Sequence, residues 1–219
     1  MKPEIKKEHL IPMFESKFMN VFDFQYAEGK HYYTATRRPK ENVMAIKSAE
    51  EFQAALPDAV TCIVILNIAE SEPALLLHYE FRYPAGQFLL SPAAGLLDPE
   101  DADAKDPVLA TAVREIKEET GLTIKDTDKL FTINPLLFST PGMTDESNAL
   151  VCAVVNLEDT SSLSQDGAVG AECFDGFELL TKEDAKRILT EGRDAEGNFY
   201  SVFTWAALMY FVSDLWKDA

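Results

Sequence analysis

The segment from Asp106 to Leu122 constrains the fold of this chain more than any other stretch of its sequence. Asp106 is a favourable N-cap residue, Pro107 suits the first position of a helix, and Gly121 suits the position just after its end. Between these boundaries, apolar or small side chains recur at the spacing of one helical face: Leu109, Ala112, Val113, Ile116 and Thr120. The pattern predicts a helix over 107–120 with one face turned to a core.

Acidic side chains lie beside the apolar face of this predicted helix. Glu115 and Glu119 are four residues apart and so share one stripe, while Glu118 is within reach of Arg114. An isolated pair of glutamates is usually a solvated surface feature. Like charges within one helical turn repel one another, however, and a hard divalent cation such as Mg²⁺ would relieve that repulsion, since it prefers several oxygen ligands. The pattern favours a metal site on a rigid helix.

Apolar runs on both sides of the helix predict a mixed α/β fold. Strands are expected at Val60–Ile68, Ala74–Phe81, Phe131–Phe138, Asn148–Leu157 and Cys173–Leu180. A helix capped by Thr181 should run to Leu189, and an amphipathic helix should occupy Val202–Leu215. The Pro- and Gly-rich stretch from Tyr83 to Gly95 reads as a connection.

The N-terminal part is predicted to be a separate β-hairpin extension over residues 1–58, followed by the main domain over 59–219. Short strands are expected at Phe18–Tyr26 and His31–Thr36, and Ser48 with Glu51 forms the capping box of a short helix. A two-stranded hairpin is marginal in isolation. The extension should therefore pack against the main domain or a second subunit.

The charge balance disfavours two classes of partner. The 219 residues carry a net charge of −17, which repels both nucleic acid and anionic membrane surfaces. No apolar run approaches the roughly 20 residues needed to span a bilayer, and the first residues lack the apolar core of a signal peptide. We expect a soluble cytoplasmic protein that binds neither nucleic acid nor membrane. Three scattered cysteines, each among apolar residues, are expected to be reduced core thiols.

Residues Arg114 to Leu122 read Arg-Glu-Ile-Lys-Glu-Glu-Thr-Gly-Leu, and this run resembles the second half of the Nudix box. All of the family's defined positions in that half are matched. The first half is stretched, because Gly95 precedes Asp106 by eleven positions where the family pattern reaches an acidic residue after six. We therefore infer a five-residue insertion in the loop 98–105, with Asp106 in place of the usual Glu.

Three further segments resemble the ADP-sugar branch of the Nudix family. Pro92–Asp98 is similar to its Pro-Ala-Gly-Leu-Ile-Asp segment, in which the carbonyl before the glycine binds metal; that residue is Ala94. Ser91 stands where the branch carries Glu. Ser139–Glu146 resembles a loop whose final Glu helps to activate water, and Tyr79–Tyr83 resembles a strand end whose Arg, here Arg82, meets substrate phosphate.

The resemblance implies a fold, a reaction and a set of site residues. The fold is the Nudix α/β/α sandwich with a mixed sheet, and the N-terminal β extension crosses to the partner of a homodimer. The reaction is Mg²⁺-dependent hydrolysis of ADP-ribose or a related nucleoside diphosphate sugar, with Mn²⁺ as an alternative cation. The implied metal ligands are the carbonyl of Ala94 and the carboxylates of Glu115, Glu118 and Glu119. The implied catalytic residues are Glu146 as the base, Glu118, and Arg114, which orients Glu118.

Other functions stay open at the level of sequence. The same box serves diphosphatases of UDP-sugars, NADH or coenzyme A, although the NADH branch usually adds a four-cysteine zinc ribbon that three cysteines cannot build. A Nudix ligand sensor without catalysis is a further alternative. The intact acids of the box, Glu115, Glu118 and Glu119, disfavour it; we call these three the box acids. The histidines His9, His31 and His78 match no catalytic position.

Overall fold

The chain forms two compact units in this computed structural model, which describes residues 3–98, 100–167 and 172–218. The first unit combines Met1–Asp58 with Leu136–Asn148, and the second combines Ala59–Pro135 with Ala149–Ala219. Pro99, part of the predicted insertion, lies outside the described residues.

The first unit contains a three-stranded antiparallel sheet. Its strands are β1 (Leu10–Glu15), β2 (Asn20–Ala27) and β3 (Lys30–Thr36), in that order, and the helix α1 covers Ala49–Gln53. The small core consists of Leu10, Phe22, Phe24 and Val43. The capping box of α1 is present as predicted. Strand β1 was not predicted, because its sequence, Leu-Ile-Pro-Met-Phe-Glu, does not alternate between apolar and polar residues and contains a proline.

Over the described part of the chain, the main sheet has seven strands. They are β4 (Ala59–Ile68), β5 (Ala74–Arg82), β6 (Gln87–Ser91), β7 (Ala93–Leu96), β8 (Lys129–Phe138), β9 (Ser147–Leu157) and β10 (Phe174–Leu180). The central order is β10-β5-β4-β9-β8, with β6 paired to β5 and β7 paired to β4. The prediction of an irregular connection over 83–95 was wrong, since β6 and β7 both lie there. Their backbone groups pair with β5 and β4, so the ladder overrides the turn-forming composition.

Among the described residues of the second unit, three helices pack on the two faces of the sheet: α2 (Pro107–Thr120), α3 (Lys182–Glu191) and α4 (Val202–Ser213). Side chains of β4 alternate between the faces, as the two-residue period of a strand requires. Cys62 and Val64 share one apolar cluster with α2, whereas Ile63 and Ile65 share the other with α3 and α4. This arrangement confirms the expected α/β/α sandwich.

Helix α4 differs from its prediction as an amphipathic helix. Thr204, Ala207, Leu208 and Phe211 are buried, yet Val202, Trp205 and Met209 on the other side are apolar and exposed. The helix is thus apolar all round, so the sequence period could not distinguish its inner face. Among the residues that the structure describes, no helix is both long and apolar enough to cross a membrane.

The three cysteines do not share one environment. Cys62 and Cys152 are buried in the sheet, as expected, but Cys173 is exposed just before β10. The prediction of a core thiol was therefore wrong for Cys173, whose apolar neighbour Phe174 is only partly buried.

Candidate functional site

Helix α2 has the boundaries that its sequence predicts, and they fix the direction of its acidic side chains. The Asp106 carboxylate accepts a hydrogen bond from the Leu109 amide at 3.1 Å. Gly121 ends the helix in the left-handed region, with φ of 77°, and its amide donates to the Lys117 carbonyl at 3.0 Å. A rigid, capped helix therefore carries Glu115 and Glu119 toward the sheet.

Glu115 and Glu119 are buried where α2 packs on β7. Their exposed fractions are only 4% and 3%. The Ala94 amide donates to Oε2 of Glu119 at 3.1 Å. At Gly95, the next residue, an added Cβ would overlap the carboxylate of Glu115. The close approach of β7 to both carboxylates thus depends on a residue without a side chain.

Burial makes these two carboxylates hard to ionise. Desolvation raises the pKa of Glu119 to about 9, with the charges of Glu80, Glu115 and Glu172 adding to the effect. Desolvation also raises the pKa of Glu115 to about 7, although Arg114 acts in the opposite direction. Crowded carboxylate oxygens of this kind fit a hard divalent cation, which would stabilise their charged forms.

The oxygen atoms do not already form a complete cation site. In the described part of the chain, no three His, Cys, Asp or Glu side chains are grouped closely enough to hold a metal ion. Glu118 is the most accessible of the box acids, with 31% of its side chain exposed. The residues have the chemistry for a cation, and their side chains would have to converge on it.

Arg114 has more contacts than the sequence indicated. Its Nη1 donates to Glu115 at 2.6 Å and to Glu118 at 3.2 Å. Its Nη2 donates to the Leu96 carbonyl and to the carboxylate of Asp101, both at 2.9 Å. Asp101 belongs to the inserted loop and was not predicted as a site residue. One guanidinium therefore links two box acids to the insertion.

Arg82, expected to meet substrate phosphate, lies at the end of β5 and is about half exposed. Its Nη2 forms an ion pair with Oε2 of Glu80 at 2.6 Å. Burial raises the pKa of Glu80, and Arg82 partly offsets that shift. The Arg82 guanidinium, which the sequence predicts to bind a substrate phosphate, is thus paired with the Glu80 carboxylate.

Glu146, the expected base, lies in the first unit. Its Oε1 accepts from Nε of Arg37 at 2.7 Å, and its backbone carbonyl accepts from the Ser139 amide at 3.2 Å. The neighbouring Asp145 points elsewhere, because its Oδ2 accepts from the Met44 amide at 2.9 Å. The partner Arg37 could not be identified from spacing, since it is distant in sequence.

The first unit also contains a cavity of about 500 Å³. Aromatic side chains of Phe24, Tyr26 and Tyr32 line it, together with Asp145. Oδ1 of Asp145 is buried and has no hydrogen-bond partner among the described residues. Apolar and aromatic side chains therefore form much of the cavity wall, and Asp145 is its one acidic lining residue among the described residues.

His78, to which the sequence assigned no role, is buried next to Glu119. Its exposed fraction is 1%, and Nε2 lies 3.8 Å from Oε2 of Glu119. Burial lowers the pKa of the imidazole to about 3, so the ring is neutral. A neutral buried histidine facing a box acid gave no signal in the sequence beyond its position in an apolar strand.

Comparison with known proteins places these features in a family. The NUDIX domain matches residues 55–202, which include the whole of α2 and both of its buried carboxylates. The chain belongs to the NUDIX family.

Curated relatives are similar over part of their length. An ADP-ribose pyrophosphatase from Saccharomyces cerevisiae is 32% identical over 101 residues, which cover 46% of this chain and 40% of that protein. Nudix hydrolase 14, chloroplastic, from Arabidopsis thaliana is 33% identical over 95 residues, covering 40% of this chain and 29% of that protein. The chain spans less than half the length of these relatives.

A solved structure supports the fold. The crystal structure of an ADP compounds hydrolase aligns over 100% of this chain and 97% of its own, with a TM-score of 0.57 and 17% sequence identity. At this level of identity, the likeness concerns the fold alone.

Proposed function

We propose that this chain is a divalent-cation-dependent hydrolase that cleaves the diphosphate of ADP-ribose or a related nucleoside diphosphate sugar. The products are a nucleoside monophosphate and a sugar phosphate. The observation that carries this proposal is the burial of Glu115 and Glu119 against β7, because carboxylates so poorly solvated need a bound cation to stay ionised. The similarity to a yeast ADP-ribose pyrophosphatase supports the choice of substrate class.

The residues proposed to hold the cation are Glu115, Glu118, Glu119 and the carbonyl of Ala94, with Mg²⁺ as the expected ion and Mn²⁺ as an alternative. When bound, the cation neutralises charge on the diphosphate and makes water a better nucleophile. Arg114 donates to both Glu115 and Glu118 and so restricts the rotation of their carboxylates. Its anchor on Asp101 holds the guanidinium in place.

Glu146 is proposed as the residue that accepts a proton from the attacking water. A base must reach that proton directly or through one intervening water. The ion pair with Arg37, at 2.7 Å between Nε and Oε1, would hold the Glu146 carboxylate in a fixed orientation until substrate binds. Arg82 is proposed to bind a substrate phosphate, which would compete with Glu80 for the guanidinium.

The N-terminal residues 1–58 are proposed to form a dimerisation extension. Large apolar side chains are exposed on and around its three-stranded sheet: Ile11, Met13, Phe14, Phe18, Met19, Tyr32 and Tyr33. Apolar residues grouped in this way mark interaction surfaces. A homodimer would cover them with a second copy of the same surface.

A second candidate is a Nudix diphosphatase with another nucleotide substrate, such as a UDP-sugar, NADH or coenzyme A. The observation that favours it is the inserted loop, whose Asp101 is tied to Arg114 and so lies close to the box acids. Ser91, in place of a glutamate, also removes a charge from the strand before Ala94.

One experiment tests both candidates. The purified chain is incubated with ADP-ribose, ADP-glucose, UDP-glucose, NADH and coenzyme A in the presence of Mg²⁺, and the products are resolved by chromatography. We expect AMP and ribose 5-phosphate from ADP-ribose, no product after chelation with EDTA, and little product with Glu119→Gln. Preferential cleavage of UDP-glucose, NADH or coenzyme A would select the second candidate. Absence of any cation-dependent cleavage would contradict both.

A further inference from the structure

The row of β5 side chains that faces α2 changes from apolar to polar along the strand. Leu76 belongs to the apolar cluster that includes α2, whereas Leu75 and Leu77 belong to the cluster on the opposite face. By the two-residue period of a strand, His78 and Glu80 lie on the same face as Leu76. The α2-facing row therefore reads Leu, His, Glu as it approaches the box acids.

His78 is enclosed on this face by several elements. The residues paired with His78 on the neighbouring strands are Ser91 of β6 and Phe177 of β10. The ring of Phe174 lies 4.7 Å from the imidazole, centroid to centroid. From α2, the group that faces the imidazole is the carboxylate of Glu119.

Nε2 of His78 has no hydrogen-bond partner within the described ranges 3–98, 100–167 and 172–218. Buried polar atoms are nearly always paired, because leaving one unpaired costs about 1–3 kcal/mol. The separation of 3.8 Å from Oε2 of Glu119 is too long for a hydrogen bond. The structure thus leaves this nitrogen near the Glu119 carboxylate without a hydrogen bond between them.

The Glu119 carboxylate has room for this second donor. Its Oε2 already accepts from the Ala94 amide at 3.1 Å, and a carboxylate oxygen can accept more than one hydrogen bond. With the Ala94 amide and His78 both on Oε2, the carboxylate could not rotate freely, and Oε1 would remain for a cation.

We propose that His78 is a positioning residue that donates Nε2–H to Glu119 and so orients this carboxylate for the divalent cation. The inference rests on the proposed function, since it takes Glu119 to be a cation ligand. Hydrogen bonds from outside the ligand set orient metal-binding carboxylates, and their loss commonly weakens metal binding by about 10–100-fold.

The test measures Mn²⁺ binding to the full chain without substrate, by the electron paramagnetic resonance signal of the free ion. His78→Gln keeps an N–H donor near the place of Nε2, and His78→Leu removes the donor while filling the space. We expect about 10–100-fold weaker binding for His78→Leu and a change within about threefold for His78→Gln. Cys152→Ala, in the other apolar cluster, controls for general loosening of the core.

A double-mutant cycle identifies the partner. In a Glu119→Gln background, His78→Leu should weaken Mn²⁺ binding by less than about twofold further, because the two residues act through one contact. If His78→Leu does not fold, His78→Asn replaces it, since its shorter amide cannot reach Glu119 and should behave like the leucine variant.

Two results would overturn the role of His78. One is wild-type Mn²⁺ affinity in His78→Leu or His78→Asn. The other is equal loss in His78→Gln, which would mean that the imidazole nitrogen itself is needed, as in a direct metal ligand. If His78→Leu and His78→Asn bind Mn²⁺ normally while Glu119→Gln binds it weakly, only the role of His78 is contradicted. No Mn²⁺ binding by the unaltered chain would remove the proposed function as well.

Discussion

Glu119 is deeply buried, and among the described residues its carboxylate accepts a hydrogen bond from the Ala94 amide. Substitution of Glu119 is therefore expected to impair cation binding and catalysis more than it disturbs the fold. Glu119→Gln should lower kcat by at least about a hundredfold, as loss of a metal ligand does, while the far-ultraviolet circular dichroism stays unchanged. The measurement is steady-state hydrolysis of ADP-ribose with Mg²⁺.

The matched control for this prediction is Glu183→Gln, which makes the same chemical change on an exposed residue of α3. Its kcat should equal that of the unaltered chain. Full activity in a folded Glu119→Gln variant would remove Glu119 from the metal site.

Glu146 is the residue for which kinetics can separate a base from a structural acid. Glu146→Gln should cut kcat sharply with little change in KM, because it removes an interaction made only in the transition state. Glu158→Gln, an exposed substitution after β9, is the control. Asp145→Asn is unsuitable as a control, since Oδ2 of Asp145 holds the Met44 amide.

If Glu146→Gln proved silent, the proton would have to go elsewhere, and Glu118 would be the next candidate because it is the most accessible box acid. Arg37→Met offers an independent check. It should lower kcat with little change in KM if the ion pair with Arg37 orients the Glu146 carboxylate toward the attacking water.

Part of the candidate site could be predicted from single residues and their spacing. The stripe of Glu115 and Glu119 follows from helical geometry alone, and both carboxylates are buried against β7 in the structure. His78, Asp101 and Arg37 were missed, because each meets its partner through tertiary packing at a distance in sequence. Spacing rules carry no information about such contacts.

At the scale of elements, the close approach of β7 to α2 depends on Gly95. Gly95→Ala should lower both catalytic activity and Mn²⁺ affinity, because the new Cβ would overlap the Glu115 carboxylate and push it from its place. Steady-state hydrolysis of ADP-ribose and Mn²⁺ titration measure these two losses, and thermal unfolding measures the accompanying loss of stability.

Gly142→Ala is the control for stability in this experiment, since a Cβ there would meet nothing within 4 Å. Its melting temperature should stay within about 2 °C of the unaltered chain, as expected for a change of a few tenths of a kcal/mol. A Gly95→Ala variant with normal Mn²⁺ affinity would show that the carboxylate of Glu115 can move without consequence.

Elements with strong local signals were predicted closely, and those defined by pairing were not. Helix α2 has its predicted bounds, because its N-cap, first-turn proline and terminal glycine each act locally. Strands β6 and β7 were taken for a connection, since their definition comes from partners on β5 and β4. Helix α4 lacks a polar face, so no period could show which side it buries.

At the scale of the whole molecule, the exposed apolar residues of the first unit lead to a prediction about assembly. The chain should be a homodimer by light scattering, because apolar side chains that are exposed together favour self-association. Phe14→Asp combined with Phe18→Asp should shift the mass toward the monomer. Val202→Asp on α4 is the control for a general effect of added charge.

Monomer mass for the unaltered chain over a wide range of concentration would contradict this prediction. A dimer that persists in the double variant but dissociates with Val202→Asp would instead place the interface on α4, whose outer side is also apolar and exposed.

The two buried carboxylates also predict how stability depends on pH when no divalent cation is present. In the unfolded chain Glu119 ionises near its ordinary pKa of 4.5, whereas burial raises its pKa in the folded protein to about 9. Between these values the unfolded state binds fewer protons than the folded state, so the free energy of unfolding falls as pH rises. Glu115, with a folded pKa of about 7, contributes in the same direction over the lower part of this range.

With EDTA present, the melting temperature should therefore decline from about pH 5 to about pH 9, and it should decline less in Glu119→Gln, which has no proton to lose. Millimolar Mg²⁺ should reduce the decline in the unaltered chain, because a bound cation stabilises the ionised form, and should have little effect on Glu119→Gln. Equal slopes for the two proteins in EDTA would show that Glu119 is ionised in the folded state without any cation.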